Sequence, residues 1–367
     1  MSPPRIVHLT TVHRLRDPRI FYKQVRSLRA AGYDVRLVAQ HTHSGAVDNV
    51  PVVALRTAGP LARLRRLGEA WAVARAETAA LYHFHDPELI PVAWALKRAT
   101  GAKVIFDRHE DYSVARGARG MLVRPLERWC FHWIDHVVLV DAAHAASLPS
   151  GLPHTVVANY FHPHGVPPQS PRTLGEQITL LYTGVHAAGR GLFTMLDLAR
   201  QAPPDVSLTM AGACYLPHER TAAVQQLRTD PSLAHAQWVG EGDFLPWPSM
   251  VPHYTAADVG LVLWHPHPNR GITIPSKFYE YLHFALPIIC TDFPRWRTFV
   301  EEHACGVVVP PGDHAAALAV LAQWRAKPEV YARLSANAAR ATMQFRWDKM
   351  GTRLNELYRA LLMDQNS

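Results

Sequence analysis

Nowhere in its 367 residues does the chain reach the ~20 uninterrupted apolar residues that a membrane-spanning helix requires. Its start, Met1 to Thr10, lacks a charged-then-apolar leader and passes almost at once into a strand-like pattern, so a cytosolic protein is expected. Cysteine is scarce. Cys130, Cys214, Cys290 and Cys305 stand far apart, without the close pairs of metal or redox motifs, and read as reduced, packed thiols. Acidic residues are outnumbered 30 to 38 by basic ones, a formal net charge of +8. Charge alone admits nucleic acid, an anionic membrane face or a phosphorylated small molecule as partner. No recognised nucleic-acid module or array of stacking aromatics accompanies it, so nucleic acid is set aside.

What is present is a globular composition, 48% hydrophobic and 19% charged, long enough for two domains. Short apolar runs alternate with amphipathic stretches throughout, the pattern of parallel sheets covered by helices. Arg5–Leu9, Val35–Ala39, Leu81–His85, Lys103–Phe106, His136–Val140 and Thr155–Val157 read as strands of a first α/β domain, residues 1–165. Asp17-Pro18 and Asp86-Pro87 each supply a helix N-cap followed by a first-turn proline, and Gly32 and Gly101 fall at expected helix ends. A proline-rich linker follows Asn159.

A second alternation occupies residues 172–343, with strands at Ile178–Tyr182, Val206–Met210, Gln237–Val239, Val259–Leu263, Ile288–Thr291 and Val307–Val309. Helices are expected near 191–202, 217–228, 249–257, 277–284, 295–303 and 313–325. Residues 344–367 form a final helix with Met350, Leu354, Leu357, Tyr358 and Leu361 on one face. It can pack on either domain, and crossing back to the first is the arrangement kept. Two doubly wound sheets of this kind carry ligand crevices at the carboxyl ends of their strands, which makes a cleft between facing domains the expected site.

The segment Pro275-Ser276-Lys277-Phe278-Tyr279-Glu280 has the chemistry of a nucleotide site. Ser276 can cap a helix whose apolar side holds Phe278, Tyr281, Leu282 and Ala285. The helix start offers free N–H groups and a positive dipole end to a diphosphate, Lys277 adds a charge, and Glu280 suits two ribose hydroxyls. By spacing alone, an exposed Lys–Glu pair on an ordinary helix is the favoured reading.

The run from Ile274 to Leu282, followed by Ala285-Leu286-Pro287-Ile288-Ile289-Cys290-Thr291-Asp292, resembles the donor-binding region of glycosyltransferase family 4, the group 1 transferases of the GT-B fold. Ala257-Asp258-Val259-Gly260-Leu261 before it, and Pro294, Gly306 to Pro310 and Gly312 after it, extend the likeness. The resemblance implies two Rossmann-like domains and a UDP- or GDP-sugar as donor substrate, with no cofactor and no metal site. Glu280 is the position matching the glutamate that holds the nucleotide ribose. Many members carry an earlier glutamate eight positions upstream, where this chain has Ile272, so the sugar stays unassigned. Tyr182-Thr183-Gly184 and Arg190-Gly191-Leu192 resemble the family's strand, glycine turn and basic helix start, which implies Gly184 and Arg190 at the donor diphosphate.

In the first half, His109 follows the Lys103–Phe106 strand and matches the family's cleft histidine, suited to the donor sugar or to charge developing in the transition state. Asp17 lies in the first strand-to-helix turn, where relatives place acceptor contacts or a candidate base, although capping alone explains it. His13, Arg14 and Arg16 replace the glycines usual in this loop and suit an anionic acceptor. His83, His85 and Asp86 invite a metal, but Asp86 has its capping role. Two basic stretches read as surface helices able to rest on an anionic membrane: Leu61–Glu77 with Arg63, Arg65, Arg66 and Arg75, and Arg116–Trp133 with Arg119, Arg124 and Arg128. Such a contact, at the inner face of the cell membrane, suits a lipid-linked acceptor, and a glycan acceptor is equally open.

The resemblance implies transfer with retention of anomeric configuration, in cell-surface glycan or glycolipid synthesis, His109 and Asp17 being the candidate catalytic pair. A nucleotide-sugar 2-epimerase of the same plan, or a catalytically silent binding subunit, would present the same features.

Overall fold

The computed structural model describes residues 3–56, 62–112, 117–267 and 271–363, without the side chains of 62, 63 and 117–119. Leu61 and Arg116, and the side chains of Arg63 and Arg119, therefore lie outside the described residues. The chain divides into two compact units, Met1–His162 with Trp347–Ser367, and Pro163–Arg346.

The first unit holds an eight-stranded sheet. Its strands are β1 (Arg5–Arg14), β2 (Asp34–Gln40), β3 (Gly45–Val47), β4 (Val50–Leu55), β5 (Leu81–Phe84), β6 (Lys103–Arg108), β7 (His136–Leu139) and β8 (His154–Val156), in the order β3-β4-β2-β1-β5-β6-β7-β8. All pairings are parallel except β3 with β4. β3 and β4 are absent from the sequence reading. They form an edge hairpin whose turn residues, Asp48 and Asn49, both have positive φ (47° and 63°), the geometry that Asx residues tolerate best after glycine.

Neighbouring residues of the buried strands face opposite ways. Val7, Tyr82, Val104 and Phe106 enter one apolar core, whereas Ile6, Leu81 and Ile105 enter the other. The second core is closed by the final helix, Trp347–Met363, through Trp347, Met350, Leu354, Leu357, Tyr358 and Leu361. The face expected from helical periodicity is therefore the buried one.

The second unit holds six parallel strands, β9 (Ile178–Thr183), β10 (Val206–Ala211), β11 (Ala236–Val239), β12 (Val259–Val262), β13 (Ile288–Thr291) and β14 (Gly306–Val309), in the order β11-β10-β9-β12-β13-β14. Every expected helix is present, and Pro328–Ala341 adds one the sequence reading did not separate. The four cysteines are buried free thiols. No helix among the described residues is long and apolar enough to cross a membrane.

Candidate functional site

In the second unit the loops after β9 and β12 meet the start of the helix Ser276–His283. Gly184 follows β9 with φ +95°, and a Cβ on it would stand 3.5 Å from Lys277 Nζ. Gly212 follows β10, and a Cβ there would strike the Gly184 carbonyl oxygen at 2.2 Å, so the two turns pack backbone to backbone.

Lys277 is only 6% exposed. Its ammonium lies 4.8 Å from the ring centre of Tyr182 and 4.9 Å from that of Trp264, and the Arg190 guanidinium lies 4.9 Å from the same Trp264 ring. Trp264 Nε1 donates to the Tyr182 hydroxyl at 3.1 Å, which locks this aromatic wall. Burial, reinforced by the Arg190 charge and only partly offset by Glu280, lowers the Lys277 pKa to about 7. Neither cation has a carboxylate ion-pair partner among the described residues. Lys277 and Glu280 are thus not the exposed pair that spacing allowed.

Glu280 instead accepts a short hydrogen bond from Tyr254, whose hydroxyl also lies 3.0 Å from Thr183 Oγ1. Burial, with the Glu280 charge adding to it, holds the Tyr254 phenol well above its ordinary value, so it remains a donor. Tyr281, Phe278 and Leu282 are fully buried as the apolar side of this helix, whereas Ala285, expected on that side, is buried beyond the helix end with φ 55°. Ser276 does not cap it. Pro275 occupies the N-cap position and Ser276 is the first helical residue, so its hydroxyl makes no capping bond; Phe278 N donates to the Pro275 carbonyl at 3.0 Å, and the Ser276 and Lys277 amides keep their donors. Ile272 is held through its carbonyl by Arg295 at 2.6 Å, and Thr273 by Trp296 Nε1 at 2.9 Å.

In the first unit Asp17 caps the helical turn that begins at Pro18, accepting from the backbone N–H of Arg19 at 2.8 Å and of Ile20 at 2.9 Å. Its second oxygen lies 3.4 Å from His13 Nδ1. Burial pushes the Asp17 pKa up, but the His13 hydrogen bond and charge, the Ile20 N–H and the His109 charge prevail and bring it to about 2. Asp86 departs from expectation. It makes no capping bond, because its side chain turns back to accept from Thr10 Oγ1 at 2.9 Å, Thr11 N at 2.6 Å and Val12 N at 3.2 Å. His13 Nε2 lies 3.3 Å from the other Asp86 oxygen. Burial alone would lower the His13 pKa, and the two carboxylates overcome it and raise the value.

His109 leaves the end of β6 beside His13, ring centres 4.8 Å apart, and its Nε2 lies 3.2 Å from Asp107 Oδ2. Asp107 is completely buried and chelated by Arg19, Nε to Oδ2 at 2.9 Å and Nη2 to Oδ1 at 2.7 Å. His83, His85 and Asp107 have the spacing of metal ligands. The guanidinium on both carboxylate oxygens, with Gln24 Nε2 at 2.7 Å on Oδ2, fills that position with charge and donors already, and a cation would have to displace them. Asp86, which the sequence grouped with the two histidines, belongs to the His13 loop instead.

Within the second unit the structure thus gathers Gly184, Arg190, Ser276, Lys277 and Glu280 around one turn, and within the first it links His109 to Asp17 through His13. Sequence reasoning missed Trp264, Tyr254, the contact of His13 with two carboxylates, and Asp107. An aromatic just past the end of β12 and an aspartate two residues before His109 were the available signals. His186 is also new: it is 1% exposed beside Lys277, its ring nitrogens lack hydrogen-bond partners among the described residues, and burial together with the Lys277 charge lowers its pKa to about 3.

Comparison with known proteins adds two matches to protein families. Residues 19–160 match the glycosyl transferase 4-like domain, and residues 178–324 match the glycosyl transferases group 1. A sequence search of curated proteins returns no match. Among solved structures, a sucrose-phosphate synthase from Thermosynechococcus elongatus is similar with TM-score 0.78 at 17% identity, over 98% of this chain and 100% of that one. Anabaena HepE, solved in complex with UDP-glucose, is similar with TM-score 0.76 at 13% identity, over 97% and 100%. The catalytic domain of starch synthase IV from Arabidopsis thaliana, bound to ADP and acarbose, is similar with TM-score 0.68 at 12% identity, over 99% and 100%. At these identities the likeness is one of fold.

Proposed function

This chain belongs to the group 1 glycosyltransferases, and from that premise we propose that it transfers a sugar, with retention of configuration, from a nucleotide-sugar donor to a hydroxyl of a glycan or lipid-linked acceptor. It is an enzyme of the GT-B architecture, two mostly parallel α/β sheets with their helices. The observation that carries the donor reading is the pair of basic side chains, Lys277 and Arg190, set against Trp264 at the start of the helix Ser276–His283 without a carboxylate ion-pair partner among the described residues. Two such charges beside the Ser276 and Lys277 amides suit a diphosphate. Glu280, fixed by Tyr254, suits the ribose hydroxyls, and the Gly184 turn leaves space for the phosphates. UDP bound to solved neighbours of this fold supports a uridine nucleotide, with GDP and ADP as competitors to be tested.

In the first unit His109 serves the donor sugar, and Asp17, a weak base at its lowered pKa, serves by holding His13. His13, whose pKa the neighbouring carboxylates raise against burial, suits an anionic acceptor. The exposed Met121 and Leu122, with Arg124, Arg128 and Trp129 on the same helix Gly117–Cys130, support peripheral contact with an anionic membrane and an acceptor anchored there. Such a setting fits cell-surface polysaccharide or glycolipid synthesis.

The test is a thermal-shift series with UDP, GDP, ADP and their sugars, since a ligand that binds only the folded state raises the melting temperature with its affinity. One nucleotide should stabilise the protein strongly, and Lys277→Ala should abolish the shift. No shift with any of them would sink the donor reading.

A further inference from the structure

We propose that Asp107 is a positioning residue that holds His109 as the Nε2–H tautomer, so that His109 offers a bare Nδ1 as acceptor to a hydroxyl of the donor sugar. The inference rests on the reading of His109 as a sugar contact and adds which atom does the work and what sets it.

The direction follows from hydrogen-bond bookkeeping through a buried chain. Asp107 is a carboxylate chelated by a guanidinium and can only accept. Two imidazole nitrogens face its Oδ2, His85 Nδ1 at 3.1 Å and His109 Nε2 at 3.2 Å, beside Arg19 Nε at 2.9 Å and Gln24 Nε2 at 2.7 Å; on so crowded an oxygen the ring bonds are long, and a proton on each nitrogen is the arrangement that sets no lone pair against the carboxylate. The two nitrogens lie 3.3 Å from one another, a distance at which neither accepts once both donate to the oxygen between them.

The rest of the chain agrees. With Nδ1 protonated, neutral His85 is bare at Nε2 and accepts from His8 Nδ1 at 3.0 Å. His8 is then bare at Nε2 and accepts from the Tyr358 hydroxyl at 3.1 Å. The Tyr358 oxygen in turn takes the short hydrogen bond from His83 Nδ1. His83 is left with a bare Nε2, which lies 4.0 Å from Asp107 Oδ2 and has no hydrogen-bond partner among the described residues, and an unpaired acceptor is the cheaper kind of orphan. The reverse order would put a proton on that unpartnered nitrogen and remove the His85 donor from Asp107. Burial keeps His8, His83 and His85 neutral, as a chain with one proton per ring requires.

His109 is the ring at the outer end, partly exposed while the others are sealed. Its Nδ1 has no hydrogen-bond partner among the described residues. An anionic partner on Nε2–H also makes the bare nitrogen a stronger acceptor, as for metal-ligating histidines backed by carboxylates.

The direct test is the ¹⁵N spectrum of the labelled protein at pH 8, with His109 assigned by its loss in His109→Gln. A protonated Nε2 and a bare Nδ1 are expected; an Nδ1–H ring or an even mixture overturns the proposal. In Asp107→Asn the side-chain amide can donate, which should move His109 toward Nδ1–H and lower kcat by about tenfold or more, with donor KM held within about threefold. A folded Asp107→Asn protein with an unchanged tautomer overturns the proposal. If losing the Arg19 partner prevents folding, the wild-type spectrum still decides. Full transfer by His109→Ala would sink the sugar contact itself, whereas lost transfer together with an Nδ1–H ring in the wild type would sink only the hold by Asp107.

Discussion

The ammonium of Lys277 sits 4.8 Å from the ring centre of Tyr182, buried against an aromatic face with no carboxylate in ion-pair contact among the described residues. A cation kept in that setting is costly until an anion arrives, and its pKa of about 7 measures the cost. A bound diphosphate supplies the missing charge and raises that pKa. Between about 7 and the raised value, binding takes up a proton, and affinity falls as pH rises through this window. Calorimetry of a UDP-sugar at pH 8 in buffers of different ionisation enthalpy should show uptake approaching one proton, and none in Lys277→Ala. Equal heats in every buffer would contradict it.

Glu280 is expected to bind through its charge. Glu280→Gln keeps the shape and a partner for Tyr254 but weakens the bonds to ribose hydroxyls, and should raise the nucleotide Kd about tenfold, as for a charged hydrogen bond worth ~1.5 kcal/mol. A 2′-deoxy nucleotide should lose much of its penalty in that variant.

Gly191 ends the turn before the helix Leu192–Gln201 with φ +77°, and a Cβ there would stand 2.0 Å from the Leu263 carbonyl oxygen. Gly191→Ala combines a left-handed backbone with a backbone clash, and should cost about 3 kcal/mol. Because Arg190 and Trp264 flank the two colliding residues, nucleotide affinity should fall as well. Denaturant unfolding and a UDP titration check the two halves separately.

The chain of His8, His83 and His85 sets the acid limit of the first unit. Their pKa values are lowered by burial, so in the folded state they stay neutral while the unfolded chain protonates below about 6.5. Their contribution is therefore intact above about pH 6.5 and lost as pH falls, approaching about 4 kcal/mol per pH unit once three extra protons bind the unfolded state. Denaturant midpoints between pH 6 and 5 should show this slope, and Tyr358→Phe should leave its sign unchanged.

His13 has the opposite sign. Its pKa is raised, with Asp17 and Asp86 overcoming burial, so its contribution is complete below about pH 6.5 and lost as pH climbs through the raised value. Asp86→Asn should bring the His13 titration, followed by NMR, back down.

Much of the fold was legible because its signals are local. Apolar runs mark strands buried on both faces, periodic apolar residues mark Phe278, Tyr281 and Leu282 as one side of a helix, and Asp17 caps as Asp-Pro predicts. The edge hairpin escaped because its strands are short and its turn has no glycine, Asp48 and Asn49 taking the positive-φ positions.

What the sequence by itself determined, then, is where strands and helices lie and which segment bears the chemistry of a nucleotide site, since periodicity, capping and turn residues act over a few positions. Only tertiary structure decided the partners. Asp86 abandons its cap for the Thr10–Val12 backbone, and Ser276 yields the N-cap position to Pro275. Lys277 turns from its neighbour Glu280 to Tyr182 and Trp264. The sheet register aligns His8 with His83 across β1 and β5, and Phe84 with Phe106 across β5 and β6, which brings His85 beside Asp107. Residues up to 350 positions apart meet in that network, at distances along the chain over which no local pattern carries information.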